Sequence, residues 1–161
     1  MKNICLFLTL ALFSLTLSAQ SQNLYNPDAN AKEDISKAVK QAKSENKHVL
    51  LQIGGNWCSW CRKFHAFVEQ EAELKKLVED NFVVLRVNYS PENRNEAVLK
   101  ELEFPQRFGF PVFVILNQNG TRIHTQNSGI LEKDSSYDKK LVTQFFTHWT
   151  PAALDPATYT K

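Results

Sequence analysis

The sequence predicts an α/β fold in which a central mixed β-sheet of about four to five strands is flanked by helices. Three observations carry that expectation. Two short apolar runs, Asn81–Asn88 and His48–Ile53, are separated by a stretch of helical spacing, and a strand-helix-strand unit normally sets its strands parallel. A third apolar run, Pro111–Leu116, leads into Asn117-Gln118-Asn119-Gly120, a hairpin turn that brings a fourth strand back beside it. Helical patterns near both ends supply the flanking layers.

Taken in order, Ser21–Asn30 is polar and reads as an extended arm. Asp34–Glu45 carries Ile35, Ala38, Val39 and Ala42 at helical spacing, with Asp34 near its start. His48–Ile53 reads as a buried strand ending at Gly54-Gly55. A helix is expected over Arg62–Val78, with Phe64, Phe67, Val68, Leu74, Leu77 and Val78 on its apolar side and Phe64 and Phe67 in the core. After the second strand the pattern blurs, with a short helix at Glu96–Leu102. Pro111–Leu116 and Thr121–Thr125 form the hairpin, and a closing helix is expected over Tyr137–Trp149, using Leu141, Phe145, Phe146 and Trp149. The chain divides into a leader (1–19), the arm (20–30), one domain (31–150) and a tail (151–161).

The chemistry is concentrated in Trp57-Cys58-Ser59-Trp60-Cys61. Of the three cysteines, Cys5 falls inside the expected leader, which leaves this pair. On a helix, residues three positions apart have alpha carbons about 5 Å apart, inside the roughly 4.4 to 6.8 Å span of a disulfide. The bond can therefore open and close with little backbone movement. Cys58 stands at the helix N-terminus, where unpaired N–H groups and the macrodipole favour an anion, so it is the expected nucleophile. Cys61, one turn inside, is the expected resolving thiol. A structural bridge is the ordinary reading of two exported thiols, but a ring of two intervening residues closes almost no loop. A structural zinc site needs four ligands, and there is no second cysteine pair; no metal is assigned.

Met1–Ala19 holds Lys2, an apolar run from Ile4 to Leu17 and then small and polar residues, the pattern of a secretory signal peptide. The run is shorter than the roughly 20 residues that span a bilayer, and no second one follows, so a soluble periplasmic or secreted chain without stable membrane insertion is expected. The formal charge of +2 indicates neither nucleic acid nor an anionic membrane surface.

These residues resemble a thioredoxin-fold protein over roughly Ala31–Trp149. The resemblance is carried by Val49-Leu50-Leu51 entering the Trp57–Cys61 motif, the strand at Phe82–Val87, Phe110-Pro111 opening the next strand, and Gly120 and Gly129 beyond it. Ala42–Lys47 and Cys61-Arg62-Lys63-Phe64 are most similar to exported thioredoxin-like proteins, the group containing the C-terminal domain of the DsbD electron conduit. The resemblance implies a cis Phe110–Pro111 bond beside the cysteines, with the adjoining backbone pairing with a substrate chain. An ordinary trans proline at a strand start is the alternative.

One departure stands out. The buried acid that thioredoxins carry six residues before the first cysteine is Gln52 here. His65, one turn after Cys61, is a candidate for proton transfer, with a solvated helix histidine as the alternative. Trp57, Ser59 and Trp60 flank the reactive sulfur, with Trp60 exposed by its turn position; the two indoles could rim a substrate site or simply pack. His48, His124 and His148 are assigned no chemistry. The resemblance implies a monomeric thiol-disulfide oxidoreductase without cofactor beyond the Cys58–Cys61 disulfide, acting on disulfide-containing exported proteins. A reductase fed by a membrane electron donor of the DsbD type is favoured. An oxidase, an isomerase, or a protein- or metal-binding module are the alternatives.

Overall fold

The structure, a computed structural model, describes residues 23–160. The expected signal peptide, with Lys2 and Cys5, lies outside the described residues. Helix α1 (Ala31–Glu45) leads into strand β1 (His48–Gly54), followed by α2 (Ser59–Gln70), α3 (Ala72–Asn81), β2 (Phe82–Asn88) and α4 (Glu96–Glu101). Then come β3 (Val112–Leu116), β4 (Arg122–Asn127), a small hairpin of β5 (Glu132–Lys133) and β6 (Ser136–Tyr137), and α5 (Lys139–His148).

The main sheet has the order β2-β1-β3-β4. β1 pairs parallel with β2 and antiparallel with β3, and β3 pairs antiparallel with β4. β1 is buried along its whole length because both its faces are covered by helices, which is why it reads as an unbroken apolar run rather than an alternation. Val49, Leu51 and Ile53 pack on one face with Ala38, Ala42, Val114 and Leu116. Leu50 packs on the other with Phe64, Leu74, Val78, Phe113, Phe145 and Phe146. Each of the Val, Leu, Ile and Phe side chains among these contributes roughly 1.5–3 kcal/mol by burial, against about 0–1 kcal/mol for exposed ion pairs such as Lys32–Glu101. The two apolar faces, and not the surface charges, hold the layers together.

Several boundaries differ from expectation. α1 begins earlier, because Asn30 caps it by accepting the Glu33 N–H at 3.2 Å. The single helix expected over Arg62–Val78 is two, interrupted at Glu71, whose backbone is extended. Leu74 follows Phe67 by nearly two full turns, so the apolar stripe stays in phase across the break and spacing does not reveal it. Phe67 is only partly buried at the edge of the second cluster. Tyr137 belongs to β6 rather than to α5, which Asp138 caps by accepting the Lys140 and Leu141 N–H groups. Leu141 is exposed and Val142 takes the core position beside Phe145 and Phe146.

Ser21–Asn30 is not a free extended arm where it is described. Tyr25 is 1% exposed, and Asn56 clasps its backbone from both sides: Oδ1 accepts the Tyr25 N–H at 3.0 Å and Nδ2 donates to the Tyr25 carbonyl at 2.8 Å. Asn93 Nδ2 donates to the Pro27 carbonyl at 2.8 Å.

Candidate active site

β1 delivers the chain to the cysteines at the C-terminal edge of the sheet, where a turn closed by Cys58 N–H donating to the Gly55 carbonyl at 3.0 Å swings it into α2. Cys58 occupies the N-cap of α2. That place usually falls to Ser, Thr, Asp or Asn, whose oxygen accepts an orphan N–H; here the acceptor is sulfur, and Cys58 Sγ takes the Cys61 N–H at 3.1 Å. The two cysteines are joined as a disulfide with alpha carbons 5.3 Å apart, as the spacing predicts. Cys61 is fully buried and Cys58 is 4% exposed, so in this oxidised form neither sulfur stands out from the surface. Ser59 is exposed at the first position of α2.

Around the pair, the Phe110–Pro111 peptide bond is cis. Pro111 is buried at the mouth of β3, and Phe110 packs against the cluster of Tyr25, Cys58 and Cys61. Trp57 is 55% exposed; its indole N–H donates to the Tyr89 carbonyl at 2.7 Å, and its ring stands edge-on to Phe110 at 5.4 Å. Tyr89 stacks on the same Phe110 at 4.8 Å. Trp57, Tyr89, Pro91 and Arg94 line a shallow, mostly apolar hollow beside the cysteines. Trp60, expected to be exposed, is half-buried between clusters, edge-on to Tyr137 at 5.4 Å with the Lys63 ammonium 4.3 Å above its ring. The β5–β6 hairpin holds it there, since Tyr137 Oη donates to the Trp60 carbonyl at 3.2 Å.

Behind the disulfide, Gln52 is buried on β1 in register with Arg86 of β2 and Phe113 of β3. Its Nε2 donates to Tyr25 Oη at 2.9 Å and to the Cys61 carbonyl at 3.3 Å. Burial pushes the Tyr25 phenol well above its ordinary range, against smaller opposing effects of the Gln52 hydrogen bond and the Arg86 charge. His65 Nδ1 lies 3.1 Å from Arg86 Nη2, and burial, then the Arg86 charge, lowers its pKa. The polar contact of His65 is thus with Arg86, while Gln52 reaches the backbone of Cys61. Arg86 Nε is buried without a hydrogen-bond partner.

The structure brings together Gln52, Trp57, Cys58, Ser59, Trp60, Cys61, Phe110 and Pro111, and adds Tyr25, Tyr89 and Tyr137. The sequence signal for Tyr25 is slight, an aromatic beside Leu24 in a polar segment. Among the described residues, no group of three or more His, Cys, Asp or Glu side chains is arranged to hold a metal ion, and no helix is long and apolar enough to cross a membrane.

A family described as Thioredoxin-like matches residues 30–118, more than half of the chain. Among solved structures, a disulphide isomerase from Xylella fastidiosa Temecula1 is 25% identical with a TM-score of 0.68, covering 77% of this chain and 94% of its own. The C-terminal domain of DsbD from Neisseria meningitidis, in its oxidised form, is 20% identical with a TM-score of 0.47, covering 72% and 94%. A curated relative, Spermatogenesis-associated protein 20 from Mus musculus, is 33% identical over 51 residues, which is 32% of this chain and 6% of that protein. The chain thus spans only a small part of that relative's length. With its cysteines joined at the head of α2 on this sheet, the chain belongs to the thioredoxin-like family as a thiol-disulfide oxidoreductase.

Proposed function

We propose that this chain is an exported disulfide reductase in which Cys58 is the nucleophile and Cys61 the resolving thiol. The observation that carries the reading is Cys58 Sγ at the N-cap of α2, accepting the Cys61 N–H; the same N–H would hold a thiolate there. Reduced Cys58 attacks one sulfur of a substrate disulfide, that bond breaks, and a mixed disulfide forms while the other substrate sulfur leaves and takes a proton. Cys61 then gives up its proton and attacks Cys58 Sγ, and the second substrate sulfur departs with the electron pair. Two electrons pass from the cysteine pair to the substrate, and no metal, nucleotide or flavin takes part.

Trp57 with the hollow beside it, Ser59, Trp60 and the backbone at Phe110–Pro111 form the substrate face. Gln52 reaches the Cys61 carbonyl on the resolving side, while His65, the other candidate for proton transfer, contacts Arg86. Export rests on the leader pattern of residues 1–19. A reductase in an oxidising compartment needs electrons from outside it, which favours a membrane donor of the DsbD type as the partner that re-reduces Cys61–Cys58.

Turnover of a protein disulfide tests the proposal. Cys58→Ser is expected to abolish it and Cys61→Ser to accumulate mixed disulfides; a Cys58→Ser variant as active as the parent would overturn it. Likeness to the Xylella disulphide isomerase favours isomerisation as a second reading. Recovery of activity from a scrambled-disulfide protein separates the two, since an isomerase restores it without net change in thiol count.

A further inference from the structure

Tyr25 is a buried titratable group that the exchange chemistry does not use, and it packs in one cluster with the resolving cysteine. A Cβ built on Gly54 would collide with both Cys61 Sγ and Tyr25 Oη, so sulfur and phenol oxygen converge on the one spot that a glycine leaves open. Tyr25, Cys58 and Cys61 form a single buried cluster. The phenol oxygen already accepts the Gln52 Nε2 hydrogen, and among the described residues no nitrogen, oxygen or sulfur atom accepts the Tyr25 hydroxyl hydrogen in this oxidised form. A buried hydroxyl forgoes a hydrogen bond only at a cost of order 1–3 kcal/mol. The neighbour that could accept it is Cys61, whose sulfur is a poor acceptor in the disulfide and a strong one as a thiolate.

We propose that Tyr25 is the positioning residue of the resolving step: its neutral phenol donates a hydrogen bond to the Cys61 thiolate, from the cluster in which the two side chains meet. This rests on the reductase reading of the same cysteine pair. The phenol keeps its own proton throughout. Cys61 loses its proton to solvent and attacks Cys58 Sγ, the Cys58–substrate bond breaks, and the departing sulfur recovers a proton from solvent. Burial keeps the Tyr25 hydroxyl protonated across the working range, as a donor must be. Gln52 has no group that can take the proton, and its amide occupies one acceptor position of the phenol oxygen at 2.9 Å.

The charged and titratable groups that act on Tyr25 or on its charged neighbour are Arg86 of β2, Tyr137 of β6, and His65 of α2, which contacts Arg86. His65 is held neutral near pH 7 by burial and by Arg86, and Tyr137 is raised by burial.

The reduced protein mixed with an aromatic disulfide reagent, 5,5′-dithiobis(2-nitrobenzoate), releases its thiolate in two steps. The first reports attack by Cys58 and the second resolution by Cys61. In Tyr25→Phe the second step is expected to slow about tenfold near pH 7, with its pH profile displaced upward by about one unit, while the first stays within about twofold. An unchanged second step overturns the proposal, as does equal slowing of both steps without displacement of the profile, which is what loosened packing would give. If Tyr25→Phe does not fold, Gln52→Leu carries the test: it keeps the phenol and removes the amide bonded to its oxygen, and an unshifted second-step profile overturns the proposal. A parent protein lacking the first step, or a first step that survives Cys58→Ser, refutes the underlying reductase chemistry instead.

Discussion

The N–H of Cys61 donates to the sulfur of Cys58 at 3.1 Å, so the bond that caps α2 runs from one member of the disulfide to the other. Because the donor is backbone, it survives replacement of the Cys61 side chain by any residue but proline. Reduction leaves Cys58 Sγ facing the same N–H with a full negative charge to offer it. In Cys61→Ser, Cys58 is therefore expected to titrate at least about one unit below the ordinary thiol value near 8.5. Thiolate ultraviolet absorbance against pH measures it, and a titration at the free-cysteine value would contradict the capping argument.

Gly54→Ala tests how tightly the site is built. The added methyl would meet Cys61 Sγ and Tyr25 Oη together, both fully buried and the second fixed by Gln52 and by the Asn56 clasp. Neither neighbour is the free end of a flexible side chain. Overpacking of this kind costs about 1–3 kcal/mol, and the urea midpoint should fall accordingly. Gly120→Ala is the comparison: its added carbon would sit at ordinary contact distance from Val39, but at a φ of 79°, so its cost is expected to be of order 1 kcal/mol and backbone in origin.

The cysteine motif was legible because its chemistry is local: two sulfurs one helical turn apart, at the end of a strand, need no tertiary knowledge to be seen as a pair. The sheet was legible for a related reason, since fully buried strands such as Val112–Leu116 announce themselves as apolar runs. Tyr25 was not. Its role depends on a chain reversal that carries residue 25 under residue 61, and the contacts that impose it, Asn56 and Asn93, are single polar side chains with no periodicity. The β5–β6 hairpin escaped for want of length, as two residues per strand carry no alternation. Trp60 was misplaced because turn geometry alone says nothing of Tyr137, which arrives from far along the chain to cover it.

Acid should weaken the fold through buried His48 and half-buried His65. His48 is buried with Nδ1 2.9 Å from the Trp149 carbonyl, and burial lowers its pKa, with the carbonyl opposing more weakly; His65 is lowered as well. A group depressed in the folded state is protonated first in the unfolded chain. Its contribution is therefore present above the unfolded value of about 6.5 and is lost as pH falls below it. The urea midpoint of the oxidised protein should be lower at about pH 5 than at about pH 7.5, and His48→Gln should reduce that difference. A midpoint independent of pH over this window would contradict the assignment.

Trp57 separates substrate recognition from chemistry. Its ring is more than half exposed yet held by the Tyr89 carbonyl and by the edge of Phe110, so an apolar face is kept rigid beside Cys58 where water would otherwise wet it. Anchors of that kind, fixed before the partner arrives, give affinity at little entropic cost. Trp57→Ala removes one hydrogen bond and part of an aromatic contact, a loss of about 1–2 kcal/mol, and leaves both sulfurs in place. Reduction of a protein disulfide is then expected to slow by about tenfold or more, while attack on a small aromatic disulfide changes by less than about threefold. Trp57→Phe, which keeps an apolar ring but loses the N–H, should fall between. Equal losses on both substrates would mean that the indole positions Cys58 rather than the substrate, and melting curves of the three proteins distinguish that from a general loosening of the turn.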